Sequence, residues 1–355
     1  MFKKKIKISN TTFIGDDYPC FVIGEIGSNH NRSKFTTKLL IDACADAKFD
    51  AVKFQIYDPE LAFSKNLLTK DVNLSGLYGA NTPWWTVARD KILMPRSWFK
   101  EMYVYAKKKK LIVFSTIHLL EDYYFLKDIG GVPLIKIASI DLEYKYLINQ
   151  LSRLKIPTLL STGMATIDEI LDTVKIFKKN KNPNLAILHC VSQYPPPDED
   201  MNLNNIKMLK DKFGCVVGYS DHSADNLSAT LSIFKGAKIV EKHITLKKNY
   251  PGPDHPFAIE PKEMIDLVKN IRRSEKMMGN YHRVISDGDS KAKKIIRRSI
   301  VLKEDIKKGE QITLKNVKFA RPPSGISPNE FDKYKKKRIK KNLKSETVLQ
   351  PSDFF

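Results

Sequence analysis

Eight short apolar, β-branched runs recur along the chain, and each is followed by a segment whose apolar residues return at helical spacing. The runs are "CFVIGEI" (20–26), "AVKFQI" (51–56), "LIVFST" (111–116), "LIKIAS" (134–139), "PTLLST" (157–162), "LAILHC" (185–190), "CVVGYS" (215–220) and "AKIVEKH" (237–243). Nearly continuous apolar strands imply that both faces are covered, as in a parallel sheet wrapped by helices. Strand then helix, eight times over, predicts an α/β fold, a closed (β/α)8 TIM barrel. Helices are expected at 34–48, 96–110, 166–179, 202–213, 224–235 and 261–278. Thr166, followed by Asp168 and Glu169, opens one of them, and the lysine run at 107–110 closes another, where exposed carbonyls favour cations.

At 355 residues the chain exceeds the roughly 250–300 at which a single core stops growing, so a second domain is expected. The pattern changes near Asp287 to short alternating stretches, "RRSIVLKEDIKKGEQIT" (297–313) and "VKFARPPSGISP" (317–328). The expected organisation is a barrel domain over 1–286, a polar linker over 287–296 and a small β-rich domain over 297–355. One barrel connection, 57–95, is abnormally long and holds "GLYGANTPWW", aromatic enough for a lid over the barrel mouth.

The formal charge of +21 is uneven, with 19 Lys and Arg against 9 Asp and Glu in residues 284–355. Stretches such as "KYKKKRIKKNLK" (333–344) read as solvated faces. No zinc-finger spacing or RNP-type aromatic motif accompanies the charge, so nucleic acid is not the expected partner. Cys20, Cys44, Cys190 and Cys215 sit in or beside apolar segments without paired spacing, as buried thiols in a reducing compartment. No apolar run is long enough for a bilayer and no signal-like segment follows the basic N-terminus, so the expected location is the cytoplasm and no membrane contact is expected.

Polar groups cluster at the carboxyl ends of the strands, where barrels of this kind do their chemistry. They are Glu25, Lys53, Gln55, Ser115, Thr116, Lys136, Ser139, Ser161, Thr162, His189, Ser220, Asp221, His222 and His243. His222 and His243 end neighbouring strands and so can aim at one point. Either each is a satisfied structural histidine, or the pair binds a divalent metal with open positions; acids Asp221 and Glu241 nearby, able to orient the rings, favour the metal. Lys53 and Lys136 lie inside apolar strands and each needs an anion, either a buried partner such as Glu25 or Asp141 or a bound phosphate or phosphorylated acid. Hydroxyls at Thr116, Ser139, Ser161 and Ser220 would donate to the same anion. Lys53 and Gln55 share a strand face. Glu25 acts on a water beside the metal or forms an ion pair, and Asp254, in "YPGPDHPF" (250–257), contacts a sugar hydroxyl or shapes a turn.

The segments "EIGSNHN" (25–31), "VKFQ" (52–55), "FST" (114–116), "KIASID" (136–141), "LLSTGM" (159–164), "LHCVSQYPPP" (188–197), "GYSDHS" (218–223), "VEKHITL" (240–246) and "PGPDH" (251–255) together resemble the sialic acid, or nonulosonic acid, synthase family. The likeness extends to "RRSIVLKEDIKKGEQIT" and "ARPPSGI", which look like that family's C-terminal antifreeze-like (SAF, β-clip) domain. The resemblance implies a transferase that condenses phosphoenolpyruvate with an N-acylated amino-hexose, such as N-acetylmannosamine or a diacetamido-trideoxyhexose. The products are phosphate and a nonulosonic acid of the sialic, legionaminic or pseudaminic type. It implies Mn²⁺ or Mg²⁺ on His222 and His243, and phosphoenolpyruvate contacts from Lys53, Thr116, Lys136, Ser139, Ser161, Ser192 and Ser220. Glu25, Gln55, Asp141, Tyr194 and Asp254 fall near the metal water and the sugar, with Asn81 the match for a sugar contact in the long loop. Arg321 matches an arginine lent across a domain-swapped homodimer to the sugar's N-acyl group.

The sequence departs from the sialic branch at "ASID" and "VSQY", where that branch usually reads Gly-Ser-Gly-Glu and Thr-Asn-Ile-Tyr, so the sugar contacts differ. Three other readings compete: a related synthase using a phosphorylated sugar, a Schiff-base lyase or aldolase through Lys53 or Lys136, and a catalytically silent carbohydrate-binding protein.

Overall fold

The structure is a computed structural model and describes residues 2–279 and 281–355. Two compact units divide after Gly279. The first opens with an antiparallel hairpin, β1 (Lys5–Lys7) and β2 (Phe13–Gly15). Eight parallel strands follow: β3 (Phe21–Glu25), β4 (Ala51–Ile56), β5 (Ile112–Ile117), β6 (Ile135–Ile137), β7 (Thr158–Ser161), β8 (Leu185–Cys190), β9 (Val216–Asp221) and β10 (Ile239–His243). They close in sequence order, with β10 pairing back onto β3, which is the (β/α)8 barrel that the strand–helix alternation predicts.

Strand pleating sorts the side chains into two cores. Phe21, Ile23, Ala51, Phe114, Leu134, Leu159, Ala186, Leu188, Val216 and Ile239 cluster together with Ile6, Ile8 and Ile14 of the hairpin. The hairpin therefore packs on the amino-terminal half of the barrel interior. The alternate residues, such as Val22, Val52, Val113, Ile187, Val217 and Val240, pack against the helices. Continuing the inward parity along each strand gives Glu25, Lys53, Thr116, Lys136, Ser161, Ser220, Glu241 and His243, all on the apolar plug's side of the sheet but at the carboxyl end.

Helices lie at Lys34–Asp46, Arg96–Lys108, Ile167–Lys179, Asn204–Phe213, Leu227–Phe234 and Pro261–Met278, within a few residues of expectation. Thr166 caps its helix through a reciprocal bond with Glu169. Two more, Leu120–Gly130 and Lys145–Arg153, complete the layer. The long connection 57–95 is a string of short helical turns rather than open loop. Among the described residues no helix is long and apolar enough to cross a membrane.

The second unit has its own core of Ile300, Leu302, Ile306, Ile312, Val317, Ile326, Tyr334, Ile339, Leu343, Leu349 and Phe354, built around β11 (Ser299–Leu302) and β12 (Val317–Ala320), paired antiparallel. The stretch 287–296, expected as a polar linker, is a helix within this unit, Asp287–Ile296. Ser286 caps it, with Asp287 and Asp289 in the first turn and Lys293 and Lys294 in the last, the polarity that a helix dipole favours. Of the lysine-rich 333–344 segment, Tyr334, Ile339 and Leu343 turn inward and the lysines stay solvated.

Candidate active site

The inward carboxyl-end residues form a buried polar floor. Lys53 Nζ lies 2.7 Å from Glu25 Oε2, donates to Thr116 Oγ1 at 2.8 Å, and stands 3.6 Å from Glu241 Oε1. Lys136 Nζ donates to both Glu241 oxygens, at 2.7 and 2.8 Å, and Ser220 Oγ donates to Glu241 Oε1 at 3.0 Å. Gln55 Nε2 donates to Glu25 Oε1 at 2.8 Å. Two ammonium groups thus face two carboxylates. Asp141, weighed as a partner for the lysines, is not one; Glu241 holds that place.

Burial opposes every charge on this floor; the partners overcome it at Glu241 and Lys53, and burial prevails at Glu25 and at Lys136, whose ammonium is lowered despite Glu241. Although burial disfavours its ionised form, Glu241 is held at about 2 by Lys136 and Lys53. Glu25 goes the other way: burial, helped by Glu241, lifts its carboxyl above the ordinary value against the pull of Lys53. Lys53 stays above its ordinary value because Glu241 and Glu25 outweigh its burial. Ser161 Oγ is buried beside this network without a hydrogen-bond partner.

Above the floor, the His222 and His243 rings have centroids 5.5 Å apart. His222 Nδ1 donates to the Val191 carbonyl at 2.8 Å, which leaves Nε2 as the lone-pair nitrogen. Burial lowers His243 to about 4, so its imidazole is neutral near pH 7, and its Nδ1 is buried without a hydrogen-bond partner. The acids expected to orient these rings do not: Asp221 pairs with Lys242 and Glu241 with the lysines. Asp254 takes part instead, with Oδ2 3.9 Å from His243 Nδ1 while accepting from Ser28 N and Oγ at 3.0 and 2.8 Å. Gly27, at φ +51°, lets the chain pass close to both; a Cβ there would sit 2.7 Å from Asp254 Oδ2.

Among the described residues no group of three or more His, Cys, Asp or Glu is arranged to hold a metal ion. Two imidazoles, one oriented by a carbonyl and one with an unpaired buried nitrogen, fit a cation that leaves its other positions to substrate and water.

Floor and histidines open into one cavity of about 730 Å³. Gln55, Thr116, Ser139, Ser161, Ser192, Tyr194 and Ser220 line it with the charged residues, as does Asp141. Ser139 Oγ accepts from Gly163 N at 2.9 Å, and the Tyr194 ring lies 4.2 Å from that of His222. Tyr57, Phe63 and Trp84 from the long connection form an aromatic wall, with Leu61, Val72 and Leu74. Asn81, by contrast, is exposed and does not line the cavity. Asp254 lies behind His243 and is not among the lining residues either. Arg321 belongs to the second unit, where it is exposed and its Nε donates to the Ile296 carbonyl at 2.6 Å. Ser115, Thr162 and His189 have outward parity and bond to Tyr103, the Leu188 carbonyl and the Met201 carbonyl respectively.

Cys190 and His118 also line the cavity and went unremarked in the sequence as site residues. Cys190 Sγ stands 3.9 Å from His222 Nδ1. His118 lies two positions past Thr116, on the same parity, with Nδ1 2.7 Å from Asp141 Oδ2 and its ring edge-to-face with Tyr57 at 5.0 Å.

Residues 40–283 match the NeuB family and residues 297–354 match the SAF domain. The N,N'-diacetyllegionaminic acid synthase of Campylobacter jejuni is 34% identical over 331 residues, covering 93% of this chain and 98% of that protein. The pseudaminic acid synthase of the same organism is 32% identical over 340 residues, covering 95% and 97%. The crystal structure of N-acetylneuraminic acid (sialic acid) synthetase from Leptospira borgpetersenii in complex with citrate superposes with a TM-score of 0.71 at 32% identity, covering 81% of this chain and 94% of that one.

Proposed function

Because the chain belongs to the NeuB family of nonulosonic acid synthases, we propose that it condenses phosphoenolpyruvate with the open-chain aldehyde of an N-acylated amino-hexose. The arrangement that supports this most is the stack in one cavity: two imidazoles over a floor of two lysines, with the unpaired Ser161 hydroxyl beside them.

A divalent cation, Mn²⁺ or Mg²⁺, held by His222 and His243, would supply Lewis-acid polarisation of the sugar aldehyde. Lys53 and Lys136, each with three donors, turn from Glu25 and Glu241 to the phosphate and carboxylate of phosphoenolpyruvate. Thr116, Ser139, Ser161, Ser192 and Ser220 complete the anion's hydrogen bonds. The enol carbon then bonds to the aldehyde carbon, whose oxygen takes up a proton. Water adds to the adjoining enol-ether carbon, and phosphate leaves as its C–O bond breaks, giving a nine-carbon keto acid. Glu25, with its raised carboxyl steadied by Gln55, takes the proton of that water. Holding both reactants in near-attack geometry supplies much of the acceleration.

The ion pairs argue against Lys53 as a Schiff-base nucleophile, since Glu241 and Glu25 hold it above its ordinary value as an ammonium. Lys136, which burial lowers against the pull of Glu241, is the lysine that borohydride trapping tests. In this proposal the working enzyme is a homodimer, and Arg321 reaches the sugar's N-acyl group across it. The test is phosphate release from phosphoenolpyruvate with a panel of amino-hexoses, before and after chelation and return of Mn²⁺ or Mg²⁺. Expected are metal-restored turnover, a nine-carbon product by mass, and no trapping of protein by borohydride. Phosphate release that survives chelation, or none with any sugar, overturns the proposal.

A further inference from the structure

The cavity has two chemically different ends. Its lysines, Lys53 and Lys136, are both on the floor and both matched to carboxylates. The opposite wall is an edge-to-face chain in which Trp84 meets Phe63 at 6.0 Å, Phe63 meets Tyr57 at 5.6 Å and Tyr57 meets His118 at 5.0 Å. Burial pushes the Tyr57 phenol up, so it stays neutral. His118 with Asp141, Nδ1 to Oδ2 2.7 Å, breaks this wall with a close polar pair. That oxygen is buried and has no well-aligned hydrogen-bond donor, although the imidazole is close. Among the described residues, no lysine or arginine other than the floor's Lys53 and Lys136 lines the cavity.

Resting on the synthase reading above, we propose that His118 and Asp141 are the specificity element of this site, selecting a sugar whose end remote from the aldehyde is uncharged and bears an N-acylamino group. An amide offers a donor and an acceptor side by side. Asp141 takes the N–H and His118 serves the carbonyl, while the acyl methyl packs against Phe63 and Trp84. A terminal phosphate in the same place meets a carboxylate and aromatic rings with no cation to balance it. A remote end rich in hydroxyls leaves donors unsatisfied against Leu61, Val72 and Leu74. The two contacts of His118 explain its orientation: Tyr57 packs on the imidazole at 5.0 Å, and Asp141, on the turn Ser139–Asp141 after β6, meets its Nδ1.

The test uses the full-length chain and two readouts. The first is kcat/KM for N-acetylmannosamine, its 6-phosphate and a 2,4-diacetamido-trideoxyhexose. The second is equilibrium binding of the corresponding open-chain sugar alcohols, with and without the terminal phosphate, in the presence of phosphoenolpyruvate. The wild type is expected to favour the uncharged, diacylated compounds in both. His118→Phe keeps the ring and its contact with Tyr57 but loses both nitrogens. It should weaken the diacylated sugar by roughly tenfold to a hundredfold through KM, leaving the KM of phosphoenolpyruvate within about twofold. His118→Gln, which restores a donor, should recover part of the loss, and Asp141→Asn should relax the rejection of the phosphorylated compounds. Preference for phosphorylated sugars in the wild type, or ratios unmoved by His118→Phe and Asp141→Asn, overturns the proposal. Should no sugar support phosphate release while the binding preferences and their loss in His118→Phe are as stated, the synthase chemistry falls and the specificity element stands. Should turnover occur with flat preferences, the reverse holds.

Discussion

β9 and β10 carry a buried lysine–carboxylate cluster on each face, and the two clusters differ in what they leave unfinished. On the outer face Lys242 Nζ donates to Asp221 Oδ2 at 2.7 Å, to the Ser223 carbonyl at 2.6 Å and to Ser223 Oγ at 3.0 Å, using all three donors. Asp221 also accepts from Ser223 N at 2.8 Å, and Ser223 Oγ bonds on to Ser228. Lys242, Asp221, Ser223 and Ser228 do not line the cavity of the inner face. On the inner face Glu241 and Ser220 join Lys53, Lys136 and Glu25 in a cluster of the same chemistry, but it opens into the cavity beside the unpaired Ser161 Oγ and His243 Nδ1. Burying an ion pair rarely stabilises more than an apolar filling would, so burial alone does not mark function. The difference lies in satisfaction and access: a closed cluster holds the strands, and an open one holds a ligand.

The largest effect should separate the clusters by activity. His222→Ala or His243→Ala is expected to lower kcat by about a thousandfold or more, roughly 4 kcal/mol of barrier, with little change in unfolding midpoint. Phosphate-release kinetics alongside a melting curve measure both; a mutant that keeps near-normal turnover would detach the histidines from the chemistry. Lys242→Met should do the opposite, costing stability first. It strands Asp221 as a buried carboxylate, at about 3–5 kcal/mol. Removing both charges in Lys242→Met/Asp221→Leu should recover most of that loss in denaturant titrations. Equal destabilisation of single and double variants would mean that packing, not charge, matters there.

A smaller effect should come from the edge of the inner cluster. A Cβ at Gly163 would collide with Ser192 Oγ and lie 3.0 Å from Ser139 Oγ. Gly163→Ala should therefore displace two hydroxyls of the anion pocket, raising the KM for phosphoenolpyruvate roughly tenfold while costing about 1–2 kcal/mol of stability. An unchanged KM would remove those serines from the anion's contacts.

The barrel was legible because it is written as a repeat, and strand edges fell within about two residues of expectation, the usual uncertainty of boundaries. The site was legible to the level of strand ends. What composition did not decide is which of two adjacent polar residues turns inward, and strand parity decides it: Thr116 over Ser115, Ser161 over Thr162, Cys190 over His189. The same parity turns Asp221 and Lys242 outward, which is why Asp221 could not serve the imidazoles. His118 was within reach of that rule, two positions beyond Thr116, but it falls just past the apolar run. Asn81 was misplaced because a 39-residue connection has no period from which to read direction; the turns at Thr69–Val72 and Ser75–Tyr78 set it, and they leave Asn81 in solvent.

A third ion-pair cluster, in water, sharpens the contrast most finely. Glu101 receives Lys34 at 2.6 Å and Lys38 at 2.7 Å, distances as short as those of the buried clusters. The hydrogen bonds from these lysines bring its carboxyl to about 2, below its ordinary 4.5. A carboxyl lowered on folding stabilises fully above its unfolded value, and the contribution is lost as pH falls from about 4.5 through about 2. Exposed on the surface, however, the cluster is screened by water and salt, and each long lysine loses rotamer freedom to form it. Glu101→Gln is therefore expected to shift the melting temperature by no more than about 2 °C at pH 7 in physiological salt. The difference from wild type should shrink further in high salt and vanish as pH falls below about 2. A larger shift that persists in salt would show that contact distance, rather than access to solvent, governs what these pairs contribute, and would undo the distinction drawn between the two faces of β9 and β10.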